Sequence, residues 1–256
     1  MKYRNQLFIK FTTSELEEIR DKAQEQIPHA TSKTNRGNLQ RIIDITTEAI
    51  KFAHSLKEIP LLKRIYQFKI TLLRSEPPIW RRIQVKDCTL DRLHDHIQTA
   101  MDWTNSHLRQ FHIEDQLYGD PELMQENFGE LGYIDSTITK ISNILPPTGE
   151  RFTFYYEYDF GDSWNHEILF EGQLRAEPQQ KYPLCVEGER ACPPEDVGGI
   201  YGYQEFLSKL ADPGNPERAE LLEWVGGSFD PEAFDTERAT KAMRNGLPDW
   251  RSQQWF

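Results

Sequence analysis

Two segments of the chain hold residue types that are costly to keep together without a use. The first, Tyr158-Asp159-Phe160-Gly161-Asp162-Ser163-Trp164-Asn165-His166, sets two carboxylates and an imidazole among aromatic positions at a turn. The second runs from Cys185 to Gly199 and combines Cys185 and Cys192 with Pro193-Pro194, Glu195-Asp196 and Gly198-Gly199. Two metal chemistries are open to them. Asp159, Asp162, Glu195 and Asp196 form an oxygen-rich set suited to Mg²⁺ or Mn²⁺, because hard cations take carboxylate oxygens, and His166 beside them would serve as the base of a metal-dependent hydrolase, for instance on phosphodiesters. Cys185 and Cys192, completed by His166, His94 or His107, would instead suit a structural Zn²⁺. The thiols are wider apart than the roughly two to four residues of a zinc knuckle.

Each feature has a structural counterpart. Small thiols are among the most often buried side chains, and two of them bracing a proline-rich loop is the favoured account of Cys185 and Cys192. Asp159 and Asp162 can accept from backbone donors of a tight turn, and Glu195-Asp196 can cap a helix starting near Ile200. His166 falls on the apolar face of its strand, where an imidazole is costly unless bonded, so a bonded core histidine is favoured over a ligand or base. His94, at the edge of a helical apolar stripe, reads the same way, whereas His96 and His112 read as solvent-facing. Trp80-Arg81-Arg82 could hold a phosphate or stack on a base, but in an acidic chain a basic pair on a strand surface reads first as an ion pair. Asp159-Phe160-Gly161 occurs in protein kinases, yet neither a Gly-rich loop nor a catalytic-loop motif precedes it, which excludes that class.

These residues must be positioned by regular elements, and their periodicity can be read. Tyr3 to Phe11 fits a short strand, Ser14 with Glu17 a capping box opening a helix to about Ile27, and Leu39, Ile42, Ile43, Thr46, Ala49, Ile50, Ala53 and Leu56 a second helix. From Arg64 the period becomes two, with Tyr66, Phe68, Ile70 and Leu72 on one face. Pro77-Pro78 makes a turn before a strand over Ile79 to Val85. Thr89 caps a helix to about Trp103, and a strand follows over Leu108 to Glu114. Residues 116–149 carry breaks and no clear period. Arg151 to Phe160 and Trp164 to Phe170 alternate as a hairpin around Gly161-Asp162-Ser163, and Tyr182 to Gly199 reads as a loop. Helices are expected over Tyr201 to Leu210, Pro216 to Trp224 and Thr236 to Asn245. Strands in the middle and helices at the end predict an α+β fold, mainly antiparallel sheet with packed helices.

The totals set outer bounds. With 256 residues, 38% hydrophobic and 28% charged, the chain can bury one large core. Residues 1–60 hold 10 Lys and Arg against 8 Asp and Glu, so the net charge of −11 arises beyond them. An acidic body repels a phosphate backbone, which favours a protein partner or small ligand over nucleic acid. No stretch approaches the roughly 18 apolar residues of a membrane span, and Met1 to Thr13 lacks a secretory apolar block. Three cysteines fit reducing conditions, so the expected location is the cytoplasm.

The two segments, together with Pro77-Pro78-Ile79-Trp80-Arg81-Arg82, the Leu93-His94 helix with Trp103, His107-Leu108, Phe111, and Glu223-Trp224 before Gly226-Gly227, make the chain resemble the plasmid pRiA4b ORF-3-like family over about residues 62 to 235. The resemblance implies an α+β domain associated with plasmids and mobile elements, and it supplies no reaction. The expected organisation is a helical N-terminal extension over 1–60 and the α+β domain with C-terminal helices over 61–256. The leading expectation is a non-enzymatic binding or interaction module, with Asp159, Asp162, Trp164, His166, Glu195 and Asp196 on its recognition surface. A metal-dependent hydrolase and a structural zinc protein remain open beside it.

Overall fold

The computed structural model of the protein describes residues 13–57, 64–120, 132–146 and 148–247. The strand expected over Tyr3 to Phe11 and the division of the chain near residue 60 lie outside the described residues. Helix α1 (Thr13–Gln26) and helix α2 (Lys33–Lys57) pack on each other, with the 3₁₀ turn Ile27–His29 placed where Pro28 halts the first helix. Leu16, Ala23, Ile43, Thr46, Ala49 and Ile50 are buried, so part of the predicted stripe of α2 finds a covering surface. Ile42, a member of that stripe, and neighbouring Ile45 stay exposed.

The body is an eight-stranded sheet in the order β5-β4-β3-β6-β7-β1-β2-β8, antiparallel except for the β4–β5 pair. Its strands are β1 (Arg64–Leu72), β2 (Ile79–Lys86), β3 (Arg109–Ile113), β4 (Gln116–Gly119), β5 (Ile134–Asp135), β6 (Phe152–Tyr158), β7 (Trp164–Arg175) and β8 (Leu184–Glu189). Strand β1 lies between β2 and β7, and its alternation decides the layering. Tyr66, Phe68, Ile70 and Leu72 face a core shared with α3 (Leu90–Met101), α5 (Gly199–Ala211) and α7 (Thr236–Asn245). The short helices α4 (Ile141–Ile144) and α6 (Arg218–Trp224) complete the described helices. On the other face a polar ladder replaces a core: Gln84 donates to Gln67, Gln67 to Glu171, and Arg82 to both oxygens of Glu171 and also to Glu187.

Thr89 caps α3 as its sequence predicts, its hydroxyl accepting from the Arg92 amide at 3.2 Å. Two expectations are corrected. Leu184–Glu189 is not loop but the edge strand β8, paired with β2; Gly188 and the flanking prolines obscured an alternation only six residues long. His96 is buried, because α3 is covered on more of its circumference than its apolar stripe predicts, while His112 is exposed. The fold is α+β with a helical N-terminal region, and no helix among the described residues is long and apolar enough to cross a membrane.

Candidate functional site

Directly after β6 comes Asp159, whose φ of 54° turns the chain out of the sheet, and its Oδ1 accepts from the amides of Gly161 at 2.9 Å and Asp162 at 3.4 Å. The bend is thus a turn organised around one carboxylate. The Cys185 to Gly199 segment, about thirty residues onward, returns to this bend. Asp162 Oδ2 accepts from the Gly198 amide at 3.1 Å. A Cβ on Gly199, where φ is +67°, would lie 2.5 Å from the Asp162 carbonyl oxygen, so glycine is what permits the approach. Tyr158 donates to Glu195 Oε1 at 2.5 Å, and the other oxygen of Glu195 accepts from the amide and hydroxyl of Thr104. Burial first, and then the Glu195 carboxylate, push the Tyr158 hydroxyl well above its ordinary pKa, which keeps it a donor.

The helix cap expected of Glu195-Asp196 is not formed. Asp162 reaches the start of α5 from the bend, Glu195 bonds Tyr158 and Thr104, and Asp196 turns towards His107. His107 Nε2 lies 3.1 Å from Asp196 Oδ1 and 3.6 Å from Asp159 Oδ2. Among the described residues these are the three ligand-type side chains that converge, their donor atoms all within 4.8 Å of one another. His107 was outside the expected surface. The signal available was its place directly before Leu108, whose carbonyl accepts from the Asp159 amide at 2.9 Å and so sets the histidine beside the bend.

Trp164 and His166 lie beneath this seam and not on it. Both are buried, with Trp103 stacked on Tyr158 at a centroid distance of 5.3 Å and set edge-on to His166 at 5.4 Å. A bonded histidine was expected at 166; among the described residues neither ring nitrogen has a partner at good hydrogen-bond geometry, and the polar groups beside the ring are the backbones of Tyr156 and Trp164. Burial pushes its pKa down to about 4, which the nearby backbone of Tyr156 and Trp164 opposes only in part. His94 is the bonded one, with Tyr156 Oη at 2.7 Å and Asn105 Oδ1 at 2.8 Å.

A model of the family described as plasmid pRiA4b ORF-3-like protein matches residues 64–238. The chain belongs to that family. The uncharacterized protein y4hQ of Sinorhizobium fredii is 39% identical over 192 residues, spanning 74% of this chain and 96% of that protein. A crystal structure of MM3350, a protein of unknown function from Methanosarcina mazei Go1, is similar with a TM-score of 0.59 and 33% identity, covering 69% of this chain and 97% of that one.

Four of the separated motifs of this plasmid pRiA4b ORF-3-like chain meet at one place. Arg81, Trp103, Cys192 and Trp224 all line a cleft of about 970 Å³, and Pro193, Pro194 and Glu195 of the seam form part of its wall. Arg82 is ion-paired, as expected, but one of its partners, Glu171, is buried and only Glu187 lies at the surface; Arg81 is 2% exposed. Its guanidinium donates to the carbonyls of Trp80, Ala100, Glu189 and Arg190 and lies over the Phe234 ring at 3.8 Å.

The expected zinc set does not assemble. Cys192 contacts Met101 Sδ and accepts from Arg81, Cys185 sits in β8 with its thiol towards the Glu187 carbonyl, and these two with His166 form no convergent group among the described residues. Burial pushes both thiols up to about 11 and Cys88 to about 12, so all three are held as neutral thiols.

Proposed function

We propose that the chain is a cytoplasmic, non-enzymatic binding module, associated as its family name suggests with plasmids or mobile elements, and that it recognises its ligand at the seam and the adjoining cleft. The observation that carries this reading is the convergence of Arg81, Trp103, Cys192 and Trp224 on a single cleft walled by the seam loop. Apolar Trp103, Trp224, Phe229 and Phe234 alternate there with Arg238, Asp102 and Asp235. Such a lining suits a peptide or a small molecule with both apolar and charged groups, held by area and fixed by a few polar contacts. The hydrolase reading loses its expected base, since His166 is fully buried, and most of its carboxylates already serve local donors.

A thermal-shift screen of short peptides and small polar-apolar molecules tests the proposal. A ligand should raise the melting temperature of the native chain and leave Ala233→Trp, which fills the cleft from an exposed position, unmoved. Turnover of a simple phosphodiester such as bis(p-nitrophenyl) phosphate with Mn²⁺, abolished by Asp196→Asn, would overturn it in favour of the hydrolase.

A further inference from the structure

We infer that His107, Asp159 and Asp196 bind a divalent first-row transition-metal ion, of the Zn²⁺ or Mn²⁺ kind, at the outer end of the seam. The inference does not rest on what the cleft binds. The three side chains come from separate stretches, one before β3, one in the bend after β6 and one in the loop before α5. Donors bound to one ion at about 2.0–2.2 Å stand roughly 3.0–3.6 Å apart. The imidazole nitrogen lies at 3.1 and 3.6 Å from its two carboxylate neighbours, so small side-chain adjustments would put an ion between them.

Two further observations point the same way. His107 Nε2 is shielded from solvent and makes no hydrogen bond, and Asp159, only 8% exposed, has its Oδ1 tied to the amides of Gly161 and Asp162. That tie fixes the carboxylate so that Oδ2 faces His107, with the 3.6 Å approach as its contact. A ligand carboxylate held by its second oxygen is how metal sites are oriented. The second observation is charge. Among the described residues Asp159, Asp162, Glu195 and Asp196 have no Lys or Arg in an ion pair with them, and the single imidazole of His107 meets two of them, Asp159 and Asp196. A doubly charged ion would relieve that repulsion.

One nitrogen with two oxygens favours a transition-metal ion, which accepts imidazole beside carboxylate, over Mg²⁺ or Ca²⁺, which prefer all-oxygen shells. Asp196 has a side chain 72% exposed, so the remaining coordination positions would face water.

The experiment uses the full chain, stripped with chelator and titrated with Zn²⁺ and Mn²⁺ by calorimetry, with Co²⁺ added for its visible spectrum. The expected result is saturable binding of one ion per chain, weakened more than about tenfold in His107→Ala and in Asp196→Asn, with the metal-free melting temperature of both variants kept. Asp159→Asn risks the turn itself, so the two more exposed positions carry the test. Absence of saturable binding, or affinity unchanged in both variants, would overturn the inference and leave His107 as an ion-pair partner of the two carboxylates. A thiolate-to-cobalt charge-transfer band would also overturn it, by putting the ion on the cysteines.

Discussion

The polar ladder on the face of the sheet opposite the main core and the seam at the end of β6 both gather carboxylates from strands and loops distant in sequence. In the ladder, Glu171 is buried between Arg82 and Gln67, and Arg82 also meets the exposed Glu187, so the buried acid has both a cation and a neutral hydrogen-bond donor. In the seam, four carboxylates face backbone amides, hydroxyls and one histidine, and among the described residues no Arg or Lys is in an ion pair with them. A set that is paired internally stabilises the sheet and offers little to a ligand, whereas an unbalanced set holds electrostatic free energy that a bound cation or basic group can release. The two regions should therefore respond oppositely to substitution.

Glu171→Ala gives the largest expected effect. It strands the Arg82 guanidinium and the Gln67 amide on a partly covered face and should cost about 3 kcal/mol in urea denaturation; a loss below about 1 kcal/mol would show that the ladder is as slack as the seam. Acidification comes next. His166, pushed down to about 4, and His96, also lowered to about 4 chiefly by burial, are held neutral in the folded chain, while the unfolded chain protonates them near 6.5. Their contribution is whole above about pH 6.5 and is lost as the pH falls towards 4, by up to about 3 kcal/mol for each. His166→Phe should flatten that slope in denaturation curves taken across the window, and an unchanged slope would place the proton uptake elsewhere.

Gly199→Ala forces a side chain into a left-handed conformation against the Asp162 carbonyl and should cost about 2 kcal/mol or more by thermal melting. Asp162→Ala removes the acceptor for the Gly198 amide and should lower stability by about 1 kcal/mol. Unchanged stability together with lost ligand binding would move this carboxylate from a structural to a recognition role. Asp196→Asn should be the mildest, within about 0.5 kcal/mol, because its side chain is mostly in water. A large loss there would mean that the seam is neutralised internally after all, and the contrast with the ladder would fail.

Local periodicity was enough to find most of the elements. The alternation of β1 and of the β6–β7 hairpin, the Thr89 cap and the last helix were legible because each depends on neighbours two to four residues away. β8 was hidden, since an edge strand of six residues containing a glycine has almost no pattern of its own and is specified by its partner β2. The same distinction divides the polar residues. Asp159 as a turn acceptor could be read from the bend alone, but His166 lost its bonding partner, His96 its solvent and Arg81 its surface only once α3, β7 and the 190–195 loop closed over them.

By itself, then, the amino-acid order determined the α+β class, the hairpin bend, the acidic body and membership of the family. Only the tertiary structure decided that the bend and the Cys/Pro/Gly stretch touch, that His107 completes their carboxylates, and that the thiols stand apart. The reason is range: strand and helix periods are set within one turn or one pleat, whereas a convergent group depends on how far the chain travels before the sheet brings it back.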